Sequence, residues 1–119
     1  MVDIISHRQV AAYERLEERL LDLRAVVDGA RSEAPDLQAS QTLVLACADL
    51  LADIYRLISR QPFARTLPRP DPLAPPSHRL LSSMLRDARL ALKLFRHAHS
   101  DHHPDGDGEW LTLDEPPDF

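Results

Sequence analysis

The sequence predicts an all-α protein: a three-helix bundle over residues 1–100, followed by an acidic, extended tail over 101–119. Three observations predict it. The apolar residues are mostly Leu, Ala, Val and Ile, with only 5% aromatics and three glycines, a palette suited to helix-on-helix packing. Three segments of similar length each carry an apolar stripe at alternating spacings of 3 and 4. Between the second and third lies a stretch too rich in proline for helix or central strand. At 119 residues and 44% hydrophobic composition, the chain is one domain's worth and can bury a core.

The first helix is expected over about 7–28. Ser6-His7-Arg8-Gln9 fits a capping box, and Ile5 with Val10 fits a hydrophobic staple. Tyr13, Leu16, Leu20, Leu23, Val27 and Ala30 form its stripe, and Gly29 stands where a left-handed C-cap would end it. The second helix is expected over about 36–61, opening at Pro35-Asp36 and stopping before Pro62. Leu43, Cys47, Leu50, Ile54 and Leu57 make one stripe, and Val44, Leu51, Tyr55 and Ile58 a second beside it. A face that wide predicts the most buried helix. It also argues for a homodimer, because one neighbour on each side hardly covers it.

Residues 62–76 hold six prolines and read as a solvated spacer; Pro72 and Pro75 also give a PxxP pattern, the less favoured reading. Extended at about 3.1 Å per residue, the segment reaches about 45 Å. That is longer than a helix of about 22 residues, about 33 Å. Either direction of the third helix relative to the second is therefore open. The third helix, about 78–100, takes Ser77 as N-cap and carries Leu81, Met84, Ala88, Ala91, Phe95 and Ala98 as its stripe.

Charge is segregated along the chain. Residues 1–60 carry 7 basic and 10 acidic side chains, 61–100 carry 7 and 2, and 101–119 carry none and 7. On the third helix Arg79, Arg86, Arg89, Lys93 and Arg96 share one face. That face reads first as solvated surface, next as a dock for the acidic tail, and last as a phosphate-binding ridge. A net charge of −5 and the lack of interleaved aromatics weigh against nucleic acid. Tail docking has an apolar component as well, through Trp110, Leu111, Leu113 and Phe119. Burying a Trp contributes on the order of 2–3 kcal/mol, more than a few screened ion pairs. The last seven residues, Leu-Asp-Glu-Pro-Pro-Asp-Phe, resemble the acidic, Phe-terminated tails of bacterial single-stranded DNA-binding proteins, which are partner-docking peptides. The barrel domain of that family is absent.

Candidate chemistry is sparse. The lone Cys47, among Leu45, Ala46, Ala48 and Leu50, reads as a small buried hydrophobe. His97, His99, His102 and His103 cluster, and His99, His102 and His103 are the alternative metal ligands, an i,i+4 imidazole pair suiting Zn²⁺ or Ni²⁺. Asp101-x-His103-x-Asp105-Gly106-Asp107 resembles the opening of a calcium loop, but Thr112 occupies the position of its bidentate Glu. Arg96-His97-x4-His102 resembles the Arg-x(4–6)-His pattern of HEPN-type ribonucleases, helical and usually dimeric. The resemblance implies Arg96 as phosphate holder and His102 as proton carrier.

The N-terminal residues lack the pattern of a signal peptide, and no apolar run approaches a membrane span, so a cytoplasmic protein is expected. Thirteen of the fourteen basic residues are Arg, a bias that fits a GC-rich bacterial or phage genome. The reading is a non-enzymatic, cofactor-free protein–protein interaction module that forms homo-oligomers. Arg86, Arg89, Lys93, Arg96, Trp110, Leu113 and Phe119 are its binding residues. The alternative is a HEPN-like ribonuclease or metal-binding protein.

Overall fold

The computed structural model describes residues 6–99. Within them the chain forms three long helices and one short one: α1 (His7–Glu33), α2 (Gln41–Ile58), a 3₁₀ helix (Pro62–Thr66) and α3 (His78–Ala98). The predicted tail and the Ile5 half of the staple lie outside the described residues.

α1 starts as expected. The Ser6 hydroxyl accepts the Gln9 amide at 3.2 Å, and the Gln9 side chain accepts the Ser6 amide at 3.1 Å. Its end differs from expectation. The helix runs through Gly29 to Glu33, and nothing lies within 4 Å of where a Gly29 Cβ would sit. Pro35 ends it instead, because the residue before proline is driven out of the helical region; Ala34 is the C-cap, at φ −148°. α2 begins five residues later than expected, at Gln41, with the Ser40 hydroxyl accepting the Leu43 amide at 3.2 Å. Pro35 and Asp36 belong to the connecting loop, where a side-chain cap was available only further on, at Ser40.

That loop fixes α3. Gln38 and Ser77 form an antiparallel bridge, and the Ala39 amide donates to the Pro76 carbonyl at 2.8 Å. The first amides of a helix have no partner within it. Here His78 donates to Leu37 O at 2.9 Å and Arg79 to Pro35 O at 3.0 Å, while Leu80 donates to the Ser77 hydroxyl at 3.2 Å. The start of α3 therefore sits beside the start of α2. At the other end Gln61, just past α2, meets His99, just past α3. α2 and α3 are parallel, and α1 is antiparallel to both.

The proline segment thus crosses the length of the bundle, and it is not a solvated spacer. Ala64, Leu67, Pro70 and Pro76 are buried, and Arg69 stacks over the Tyr55 ring at 4.6 Å. Phe63, Thr66 and Leu67 face Asp87, Leu90, Ala91 and Leu94 of α3. The segment lies over the α2–α3 seam, touching the second stripe of α2 at Tyr55; Val44, Leu51 and Ile58 of that stripe are at most 1% exposed. A homodimer is expected on the ground that this stripe needs cover from a second copy; within one chain it is already buried. A 3₁₀ turn also forms inside the segment, since Pro62 occupies its first position, where no amide is needed.

The core is one cluster drawn from all three helices. α3 buries as large a share of its residues as α2, because Leu85 and Leu92 join the predicted stripe. Three polar side chains are buried as well, Ser82, His78 and, just past α3, His99. Ser82 donates to Asp28 at 2.7 Å, and His78 Nδ1 donates to the Ala34 carbonyl at 2.8 Å.

Candidate functional site

α3 divides its cationic stripe among three neighbours. At its start Arg79 pairs with Asp36 of the α1–α2 loop at 3.2 Å. At its end Arg96 turns toward α1, where its charge acts on the Tyr13 hydroxyl and opposes the rise of that group's pKa. Only the middle stays open. Arg86, Arg89 and Lys93, spaced 3 and 4 apart, line a shallow groove of about 400 Å³ with Leu90, Asp87 and Arg24 of α1. Arg24 is brought there by helix docking: one turn on, Asp28 ties α1 to Ser82 of α3. Arg24 itself reaches Asp28 at only 3.9 Å. Among the described residues Arg86, Arg89 and Lys93 have no carboxylate within 4.0 Å. Four cations and one acid thus surround a leucine that is 57% exposed.

The sequence stripe pointed to the α3 side of this groove. Arg24 was not foreseen, since its position one residue beyond Leu23 marked it only as flanking the α1 core stripe.

A second polar cluster closes the opposite end of the bundle from the α1–α2 loop. Tyr13, placed by the α1 stripe, stacks on Phe95 with ring centroids 6.2 Å apart. Its hydroxyl donates to Glu17 at 2.9 Å. Its pKa is pushed up to about 12, first by burial, then by the hydrogen bond to Glu17 and that carboxylate's charge, with Arg96 opposing. His99 is 4% exposed, its ring 4.4 Å from Phe95 and its Nε2 3.1 Å from the Gln61 amide nitrogen. An amide nitrogen only donates, so in this contact His99 Nε2 is the acceptor. The amide of His99 closes the helix on the carbonyls of Phe95 and Arg96, both at 3.2 Å. His99 is packed as an aromatic end plate. Gln61 was read only as a helix stop; its polar role carried no local signal.

Of the alternative catalytic pair, Arg96 is placed in this cluster while His102 lies outside the described residues. Of the alternative metal ligands, His99 is engaged as above, and His102 and His103 lie outside. Among the described residues no group of three His, Cys, Asp or Glu is arranged to hold a metal ion. Trp110, Leu113 and Phe119 also lie outside. Cys47 is fully buried, and burial pushes its thiol up to about 11, as for a small core hydrophobe. No helix among the described residues is long and apolar enough to cross a membrane. The chain matches no family, no curated protein and no solved structure.

Proposed function

We propose that this protein works by association rather than catalysis, as a helical interaction module that receives acidic, aromatic-bearing peptides in its cationic groove and pairs with copies of itself. The observation that carries the reading is the open cluster of Arg24, Arg86, Arg89 and Lys93 around Leu90. A ligand for it needs carboxylates spaced along an extended backbone and an apolar side chain to lie on the leucine. Residues 101–119 carry the side chains such a ligand needs, with seven acids, no Lys or Arg, and Trp110, Leu113 and Phe119 as anchors.

Reach supports the same pairing. Leu90 lies nine residues back from His99 along α3, about 14 Å at 1.5 Å per residue. The eleven residues from His99 to Trp110 span up to about 36 Å when extended. The segment therefore reaches the groove of its own chain or of a neighbour. Protein partners carrying a similar acidic peptide would compete for the same place, in the cytoplasm of a bacterial or phage-infected cell.

Trp110 is the single tryptophan, so its emission reports the docking directly. Emission from the intact chain is expected to be blue-shifted. It should move to the water-exposed maximum on high salt or on the triple change Arg86→Glu, Arg89→Glu, Lys93→Glu. A water-exposed maximum in the unaltered chain, unmoved by the triple change, would sink the reading. RNA cleavage that disappears with Arg96→Ala and His102→Ala together would favour the ribonuclease alternative instead.

A further inference from the structure

A second groove, walled by α1 and α2 alone, has a property that the cationic one lacks. Two hollows of about 570 and 450 Å³ adjoin, with Arg19 as a wall of both. At their junction Asp53 bridges both to Arg19 at 2.9 Å and to Arg56 at 2.7 Å, two cations sharing one carboxylate. The charges on either side are opposite. Arg15 comes four residues before Arg19 and Asp22 three after it; on the antiparallel α2, Arg56 comes three after Asp53 and Asp49 four before it. One hollow is therefore walled by Arg15 and Arg56, the other by Asp22 and Asp49. The floor repeats in the same sense, with Leu16 and Leu57 in the cationic half and Leu23 and Leu50 in the anionic half.

A half-turn about an axis level with the Arg19–Asp53 bridge, lying in the plane of the groove mouth and at right angles to both helices, sets a second copy face to face on the first with the two halves exchanged. It lays each cationic half on an anionic one and each leucine pair on another leucine pair. A ligand of one charge sign is attracted by one half and repelled by the other. The occupant that suits both halves at once carries opposite charges at matching spacing, and the chain itself does.

We infer that this groove is a self-recognition surface: two copies pair antiparallel, α1–α2 face on α1–α2 face, about a two-fold axis at the Arg19–Asp53 bridge. The contact is isologous, so every cross-pair occurs twice, Arg15 and Arg56 of each copy facing Asp22 and Asp49 of the other. Four helices then form one layered bundle in which the partly exposed Leu23 and Leu57 gain cover, Leu16 and Leu50 already belonging to each chain's own core. Val26, 58% exposed at the anionic rim, gains cover opposite Ala12. Exposed ion pairs are individually weak, so the charges act mainly by fixing register and rejecting the parallel arrangement. The inference rests on the self-association proposed above and names its surface.

Sedimentation of the full chain across a concentration series tests it. The unaltered chain is expected to reach a dimer. Arg15→Glu with Arg56→Glu, and separately Asp22→Arg with Asp49→Arg, should each raise the dissociation constant about tenfold or more. An equimolar mixture of the two variants should recover the dimer, since their halves again match. Val26→Arg, at an exposed rim position, should also give a monomer, and it decides the matter if either double change loses helical circular dichroism. A chain monomeric at every concentration overturns both the surface and self-association. A dimer that survives both double changes, or survives Val26→Arg, overturns the surface alone. Folded variants that fail to pair in the mixture overturn it too.

Discussion

His78 Nδ1 lies 2.8 Å from the carbonyl oxygen of Ala34, forty-four residues earlier in the chain. The carbonyl belongs to the C-cap of α1, at the helix end where acceptors lack partners within the helix, and it also accepts the Leu37 amide at 3.2 Å. The histidine belongs to the first turn of α3. One side chain therefore caps a helix it is not part of, and it does so only because α3 starts at this end of the bundle.

His78→Ala removes that donor, while the Ala34 carbonyl keeps the Leu37 amide at 3.2 Å. The loss is that of one hydrogen bond, about 0.5–1.5 kcal/mol. The expected result is a fall in Tm of several degrees, with helical content at low temperature unchanged. Thermal and chemical denaturation followed by circular dichroism measure it. A Tm equal to that of the unaltered chain would mean the bond adds nothing.

Gly29 is inside α1, with space around it for a methyl group. Glycine in a helix interior costs about 0.5–1 kcal/mol relative to alanine. Gly29→Ala should therefore stabilise the protein by about that amount and raise Tm. A left-handed cap at this position would give the opposite sign, so the same melt separates the two descriptions.

The linker is tested by two of its leucines, close in sequence yet opposite in exposure. Leu67 is 9% exposed and part of the core cluster, whereas Leu73 is 88% exposed. Leu67→Ala should cost about 2 kcal/mol, at the low end of core truncations because it sits at the core's edge. Leu73→Ala should stay within about 0.5 kcal/mol of zero. Equal effects would mean the segment does not pack on the seam.

Two raised pKa values set an alkaline limit. Tyr13 moves from 10.0 to about 12 and Cys47 from 9.0 to about 11, both by burial first. Each group holds its proton more tightly when folded than when unfolded, so its contribution is full below the unfolded pKa. It is lost as pH rises through the folded value. Stability should thus be level on this account up to about pH 9 and decline between about pH 9 and 12. Each group then contributes a slope of up to about 1.4 kcal/mol per pH unit between its unfolded and folded values. Urea titrations at several alkaline pH values measure the slope, and Tyr13→Phe should remove the upper part of it. An unchanged slope in that variant would assign the decline elsewhere.

What could be read from the sequence was what neighbouring residues settle among themselves. Ser6 with Gln9 and Ser77 with Leu80 are caps made within three residues, and the stripes through Leu20, Ile54 and Leu81 follow from helical spacing. The sequence also placed Cys47 in the core, since everything beside it is apolar. The expected stop at Gly29 failed because glycine tolerates a helix as well as a cap, whereas Pro35 does not. Half of the cationic groove was legible, in Arg86, Arg89 and Lys93. Arg24 was not, because no local rule says which side of α1 faces α3.

The sequence by itself determined that there are three helices, where their apolar sides lie, and that cations gather on the third. These depend on hydrogen bonds and spacings within a turn or two of the chain. Only the tertiary structure decided that α3 runs parallel to α2, that the prolines roof the seam between them, and that the arginine stripe splits among Asp36, an open groove and Tyr13. Those outcomes depend on which unpaired carbonyls and amides at helix ends find each other across forty residues, and on how each helix is turned about its own axis. Neither quantity is written in any single segment.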